Sequence, residues 1–355
     1  MRLKKLLAIT IALVLAPVVM TAGNRAESNN ESARPFTLLQ LEGGRRLEFV
    51  RAFSSEKEVN PKRSFWNKLV DFVAGEPEWH QLVRPYGIAT DSRGRIIVSD
   101  PGALGVHVFG FEKKEYRFLG GSKQQALQSP IGVAVDAQDN IYIADSLLGK
   151  IFVFSSSGKF LRYIGDIRGE GFFKRPTGLA IDKAAARLYV TDTLRHKIYV
   201  TTLEGTVLGS FGGRGDAAGQ FNFPTEIVVK GEELLVVDAM NFRVQILDHQ
   251  GNFRGKFGTA GDAVGSIFRP KGLSLDSNGN IFVVDAALEA VQVFDRQGRL
   301  LFAFGRSGTA PGQFELPSGL SIDGQNRIFV ADSYNHRVQE FKFVVAARAS
   351  EGKRP

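Results

Sequence analysis

The sequence predicts an all-β fold, a six-bladed β-propeller, on the strength of its internal repeats. Six short segments each begin with Pro and continue with alternating apolar residues; they are 85–91, 130–136, 176–182, 224–230, 270–276 and 317–323. A β-branched run follows each segment and ends in Asp, at Asp100, Asp145, Asp192, Asp238, Asp285 and Asp332. These Asp residues are 45, 47, 46, 47 and 47 residues apart. A period of this length, made of short strands and tight turns, is typical of one propeller blade per repeat.

Each repeat contains the signals of a four-stranded blade. In the fifth repeat, strands are predicted at 272–276, 281–284, 291–294 and 300–304, with Asn, Asp and Gly in the turns between them. An apolar residue stands three positions before every repeat Pro; the six are Leu82, Leu127, Phe173, Phe221, Ile267 and Phe314. We expect these side chains to fill the space between adjacent blades.

The later part of the repeat carries a second motif, Asp-x-x-Asn-x-Arg-Val-Gln. The sixth repeat has it as Asp332, Asn335, Arg337 and Gln339, and the fourth as Asp238, Asn241, Arg243 and Gln245. Together with the Pro-x-Gly opening, this pattern resembles the NHL repeat, and the resemblance implies a six-bladed propeller. NHL proteins range from RNA-binding regulators to amidating lyases and adhesion modules, so the resemblance implies a fold and leaves the function open.

The N-terminus has the pattern of an export signal. Arg2, Lys4 and Lys5 precede an apolar stretch over 6–20, and small residues follow it. A stretch of 15 residues is short for a membrane span. We therefore predict a signal peptide over 1–23 and a periplasmic or extracellular protein, with an uncleaved membrane anchor as the alternative.

Composition and charge exclude several functions. The chain has no Cys, so it can form no disulfide or thiolate metal site and has no thiol nucleophile. Its net charge is +8, and removal of 1–23 takes away three cations, which leaves +5. A charge of this size, together with the predicted export, disfavours nucleic acid as a partner.

The segments on either side of the repeats predict how the ring closes. We assign 24–44 to a polar linker, 45–343 to the propeller and 344–355 to a basic tail. The sixth repeat stops at Phe343, where its third strand ends, whereas 47–53 resembles the fourth strand of a blade. We expect this N-terminal strand to complete the last blade, because closure removes two open sheet edges.

An insertion over 61–75 predicts one short helix. Pro61 and Ser64 fit a helix start and Gly75 a stop. Its apolar face includes Phe65, Trp66, Leu69 and Phe72. This face either covers a flank of the propeller or docks a partner or the membrane surface.

The search for catalytic residues is mostly negative. None of the five histidines falls in the six innermost strands. The strand-end Asp residues recur in every repeat, so we expect them to accept backbone N–H bonds or to pair with loop cations. Glu226 replaces the motif Gly in the fourth repeat, and we place it with Lys271 as a channel candidate. This Glu supports an alternative function, a Ca²⁺- or Zn²⁺-dependent hydrolase or lyase at the channel.

The residue before the repeat Pro is arginine in alternate blades. Arg84, Arg175 and Arg269 precede the first, third and fifth Pro residues, which places them about a third of a turn apart. Four loop cations are expected on the same face: Lys150, Lys197, Arg243 and Arg337. We predict a non-catalytic scaffold without a cofactor, which binds an acidic protein segment or another anionic ligand through this face. The alternative is that Arg84, Arg175 and Arg269 are three separate surface arginines, which stack on neighbouring aromatic residues or pair with nearby acids.

Overall fold

The computed structural model describes residues 36–41, 44–59, 79–120 and 126–345. All of them lie in one compact unit, Ala33–Pro355. Within the described residues the helical segments are three single 3-10 turns, Glu56–Glu58, Thr193–Arg195 and Ala239–Asn241, and no helix is long and apolar enough to cross a membrane. The predicted signal peptide and the predicted helix, with Phe65, Trp66, Leu69 and Phe72, lie outside the described residues.

The described strands form six antiparallel sheets, one for each repeat, and one additional two-stranded hairpin. Two N-terminal strands come first, β1 (Phe36–Gln40) and β2 (Arg45–Phe53). Blade 1 contains β3 (Ile88–Thr90), β4 (Ile96–Asp100), β5 (Gly105–Gly110) and β6 (Glu115–Leu119). Blade 2 contains β7 (Pro130–Val135), β8 (Ile141–Asp145), β9 (Lys150–Phe154) and β10 (Phe160–Ile164), and the hairpin β11 (Asp166–Ile167) and β12 (Glu170–Gly171) follows it.

The next three blades repeat the same order. Blade 3 contains β13 (Pro176–Asp182), β14 (Arg187–Asp192), β15 (Lys197–Thr202) and β16 (Val207–Gly212). Blade 4 contains β17 (Pro224–Lys230), β18 (Glu233–Asp238), β19 (Arg243–Asp248) and β20 (Phe253–Phe257). Blade 5 contains β21 (Pro270–Leu275), β22 (Ile281–Asp285), β23 (Ala290–Phe294) and β24 (Leu300–Phe304), which agrees with the predicted strands to within two residues.

Blade 6 joins the two ends of the chain. It contains β25 (Leu320–Ile322), β26 (Arg327–Asp332) and β27 (Arg337–Val345), and β2 pairs with β27 as the fourth strand. The predicted closure by an N-terminal strand is thus confirmed. Two boundaries differ: β1 lies inside the predicted linker and pairs with β2 as a fifth strand, and β27 continues to Val345, past the predicted end at Phe343. The extension occurs because β2 begins at Arg45 and gives Val344 and Val345 partners.

Apolar side chains fill the spaces between the blades, as predicted. The six residues that precede the repeat Pro by three positions are each at most 3% exposed; they are Leu82, Leu127, Phe173, Phe221, Ile267 and Phe314. Each hydrophobic cluster combines residues from two neighbouring blades. Phe282 of blade 5, for example, packs in one cluster with Phe341 of blade 6.

The alternation of strand direction gives the propeller two distinct faces. In each blade the innermost strand begins, and the second strand ends, at the same face. The loops between second and third strands and the connections between blades therefore lie on one face, which we call the arginine face because Arg84, Arg175 and Arg269 precede the innermost strands there. The turns between first and second strands and between third and fourth strands lie on the opposite face.

Candidate functional site

The strand-end Asp residues hold the segment that precedes each innermost strand. Asp100 accepts the backbone N–H groups of Val83 and Arg84 at 2.7 and 2.9 Å. Asp192 and Asp285 accept the backbone N–H of Arg175 and Arg269 at 3.0 and 3.1 Å. The three arginines thus stand on backbone that buried carboxylates fix in place.

In blades 4 and 6 the same Asp accepts one such backbone N–H, from Asn222 or Glu315, and also serves the second motif. Asp238 accepts hydrogen bonds from Asn241, Arg243 and Gln245 at 2.8, 2.8 and 3.1 Å. The residue before Pro in these blades has a left-handed backbone, with φ of 55° at Phe223 and 44° at Leu316. These carboxylates therefore accept backbone N–H groups, as expected, and in blades 4 and 6 they also bind a loop arginine.

This network removes Arg243 and Arg337 from the predicted binding site. Arg243 is 4% exposed and donates to the carbonyl oxygens of Asp216, Ala217 and Gln220. Arg337 pairs with Asp332 at 2.7 Å and donates to two further carbonyl oxygens. Each guanidinium group donates to the connection that leads into its own blade, so few of its N–H groups remain for a ligand.

The two predicted lysines are also placed away from the channel. Lys150 pairs with Asp166 at 3.1 Å and donates to the carbonyl oxygen of Gly169, so it holds the hairpin that follows blade 2. Lys197 is half-buried at the start of β15 and lines neither channel cavity. Each lysine begins the third strand of its blade, and third strands lie farther from the propeller axis than the innermost strands that line the channel.

The three alternating arginines do come together, around a cavity on the arginine face. The cavity has a volume of about 320 Å³, and its lining includes Arg84, Arg175 and Arg269 with Lys271 and Tyr86. No Asp or Glu is among the lining residues that belong to the described ranges. Within the described part of the chain, none of the four cationic side chains has an ion-pair partner. Neither an ion pair nor a cation–π contact of Arg84, Arg175 or Arg269, as the alternative expects, is found among the described residues.

The charge of this cavity acts on its titratable groups. Burial, and then the nearby Arg269 and Arg175, hold the pKa of Lys271 below its usual value. Burial, and then the carboxyl group of Glu226, raise the pKa of Tyr86 to about 12, although the three arginines act in the opposite direction. Lys271 and Tyr86 therefore lie within the positive field of the arginines.

A second cavity opens toward the opposite face. It has a volume of about 460 Å³ and is lined by Glu226 and by Gly87, the residue next to Tyr86. Glu226 is thus one of the residues that line the channel. Its Oε1 accepts the backbone N–H of Ile227 at 3.0 Å. Burial raises the pKa of Glu226 to about 8, so the carboxyl group is mostly neutral at pH 7.

The described residues contain no metal centre around this carboxyl group. Groups of three or more His, Asp or Glu side chains with the spacing of a metal site are absent from the described ranges. Among the same residues, no histidine lines either cavity. Glu226 is a half-buried acid in the channel, next to the cationic cavity.

Glu226 predicts a measurable pH dependence of stability. Its usual pKa is 4.5 and its folded-state pKa is about 8, so the folded chain holds the proton more strongly than the unfolded chain. Between these two pH values, rising pH favours unfolding. We expect Glu226→Gln to remove this contribution, so that the variant gains stability over the wild type as the pH rises from 5 to 8. Urea unfolding at several pH values measures the difference.

The matched control is Glu232→Gln, because Glu232 is exposed in the turn that follows β17. Its stability should follow that of the wild type across the range. Parallel curves for the wild type and Glu226→Gln would contradict the buried, protonated state of Glu226.

The sequence left Tyr86 unnoticed as a site residue. It occupies the position directly after the repeat Pro, and the same position holds Thr177 and Lys271 in blades 3 and 5, which also line the cationic cavity. An alignment of the six repeats at the position after the Pro, rather than at the motif Gly, would have grouped Tyr86 with Thr177 and Lys271.

Comparisons with known proteins agree with this architecture. Residues 314–341 match the NHL repeat, and residues 122–210 match a family described as a 6-bladed beta-propeller. No curated protein matches the sequence. The NHL match falls on the sixth repeat, where the Asp332, Asn335, Arg337 and Gln339 motif is complete.

Solved structures show the same fold at low sequence identity. Virginiamycin B lyase from Staphylococcus aureus has a TM-score of 0.55 and 12% identity, with 75% of this chain and 97% of that chain covered. An auxiliary nutrient binding protein from Bacteroides ovatus has a TM-score of 0.58 and 11% identity, with 74% and 70% covered. A structural genomics protein of unknown function from Bacteroides thetaiotaomicron has a TM-score of 0.58 and 17% identity, with 74% and 70% covered. At these identities the likeness is one of fold.

Proposed function

We propose that this six-bladed β-propeller, which carries an NHL repeat, is a non-catalytic scaffold that binds an anionic group at the mouth of its channel. One observation carries the proposal: Arg84, Arg175, Arg269 and Lys271 line one cavity, and none of its described lining residues is acidic. Like charges held close together repel each other, and an anion in the cavity offsets that repulsion. The auxiliary nutrient binding protein among the structural neighbours supports a binding function in general terms.

An enzymatic function is the second candidate, and Glu226 is the observation that favours it. A buried carboxyl group with a pKa of about 8 can exchange a proton near neutral pH, as a general acid or base does. Virginiamycin B lyase also shares the fold. However, a histidine-to-alanine variant of that lyase is described as catalytically inactive, and no described histidine of this chain lines either cavity. Binding without chemistry is therefore the better-supported proposal.

A direct binding measurement tests the anion site. The probe is fluorescein-labelled hexaglutamate, titrated with the protein and followed by fluorescence anisotropy at low and high salt. We expect Arg84→Ser/Arg175→Ser/Arg269→Ser to lose at least about tenfold in affinity and to reduce the salt dependence of binding, because three charges leave the cavity. All three side chains are exposed, so the fold should persist.

The matched control changes the same number of arginines on the opposite face. Arg93, Arg254 and Arg299 lie in or beside turns of that face, and their replacement by Ser alters the net charge equally. The control should bind hexaglutamate as the wild type does. Equal affinity of the arginine-face triple variant and the wild type would refute the proposal, and equal losses in both triple variants would indicate non-specific attraction to the whole surface.

A further inference from the structure

When β1 and the outermost strands are set aside, the exposed apolar side chains lie on the arginine face. The described residues include sixteen exposed large apolar side chains. Nine lie in loops and connections of the arginine face, and the other seven lie on β1 and on the outermost strands β10, β16, β20 and β24. None lies in the turns of the opposite face among the described residues. Edge strands explain the seven, but sheet geometry gives no reason for the difference between the two faces.

Six of the nine, one for each blade, lie two residues from a strand-end Asp or from a repeat Pro, and we call this set the apolar rim. Its members are Val83, Leu147, Leu194, Met240, Phe268 and Tyr334, and they are 37–69% exposed. Tyr334 itself lines the cavity. Backbone hydrogen bonds tie the rim loops to the residues before the repeat Pro, for example from Met240 N to Asn222 O at 3.0 Å and from Tyr334 N to Glu315 O at 3.2 Å.

We infer that the arginine face docks a partner protein segment in which acidic side chains are flanked by apolar ones. The inference rests on the proposed anion site and adds the class of its ligand. Four cations at the centre, which have no ion-pair partner among the described residues, complement the acidic side chains, and the apolar rim buries the flanking residues. A small free anion would fill the cavity and leave the rim in water, and a nucleic acid would call for cations rather than apolar groups around the centre.

The test compares two labelled peptides of equal charge. One is hexaglutamate, and the other has the same six glutamates with Leu and Phe residues on both sides. We expect the flanked peptide to bind at least about tenfold more tightly, because each buried apolar side chain contributes about a factor of ten or more. Leu147→Ser/Met240→Ser should reduce the flanked peptide to the affinity of hexaglutamate and leave hexaglutamate binding unchanged.

A control variant changes exposed apolar residues elsewhere. Leu208→Ser/Leu301→Ser alters two outermost-strand residues that are 52% and 48% exposed, similar to Met240 at 53%. It should bind both peptides as the wild type does. A loss of flanked-peptide binding in this control as large as that in the rim variant would overturn the inference.

The remaining outcomes separate the two proposals. If both peptides bind equally well and both depend on the arginines, the anion site stands and the inference of a protein partner is overturned. If neither peptide binds at low salt, the proposed function itself fails. If the wild type sediments as a dimer and the rim variant as a monomer, the rim is the contact surface between two copies of this chain, and the inference of a separate partner is overturned.

Discussion

A chain that begins at Ser54 will fail to fold, whereas a chain that begins at Arg45 will fold. The two differ only by β2, the fourth strand of blade 6. This strand buries Leu47, Phe49 and Phe53, each at most 1% exposed. Burial of three such side chains contributes roughly 5–9 kcal/mol, which is comparable to the whole stability of a typical domain.

The loss extends beyond the buried side chains. Without β2, strand β27 loses its outer pairing partner along eight register positions and becomes an open edge. Blade 6 then cannot hold the ring between blades 5 and 1. Circular dichroism during heating and size-exclusion chromatography will measure the result. We expect aggregation of the shorter chain, and a cooperative transition for the chain that begins at Arg45. Equal melting temperatures for the two chains would show that ring closure contributes little.

The sequence predicts the architecture because each blade repeats the same pattern of strands, turns and buried apolar residues. The period, the turn residues and the apolar plugs occur in every repeat, so six copies support one another. Closure by the N-terminal strand followed from the missing fourth strand after Phe343. The extra strand β1 was missed, because a single edge strand adds no period and its residues, such as Thr37 and Gln40, fit a linker equally well.

The site was only partly accessible for a related reason. Alternation in a ring placed Arg84, Arg175 and Arg269 around one axis, and this depends on topology alone. Whether a cation is free depends instead on its neighbours in space. Arg243 donates hydrogen bonds to the carbonyl oxygens of Asp216 and Ala217, which lie in a connection 26 or 27 residues away along the chain. A motif residue that recurs with its own Asp, Asn and Gln is better interpreted as a member of that network than as a ligand contact.

The motif glycines predict the second large effect, which concerns the spacing of the blades around the axis. A Cβ atom at Gly132 would overlap the backbone carbonyl oxygen of Thr177 in blade 3. At Gly272, a Cβ would lie 2.5 Å from the carbonyl oxygen of Ser318 in blade 6. These glycines therefore allow adjacent innermost strands to approach closely at the crowded axis. Blade 4 has Glu226 at this position and carries a side chain into the channel instead.

Gly132→Ala should accordingly destabilise the protein by about 3 kcal/mol or more, because the contacted atom is backbone and can move only if blades 2 and 3 separate. Gly255→Ala is the matched control. Gly255 lies on the outermost strand β20, where a Cβ would meet nothing within 4 Å, so the change should stay within about 0.5 kcal/mol. Urea unfolding of the two variants measures both effects. If Gly132→Ala unfolds at the same urea concentration as Gly255→Ala, then Gly132 does not lie in close contact with the Thr177 backbone. The repeat glycines would then have a role other than the close approach of adjacent strands.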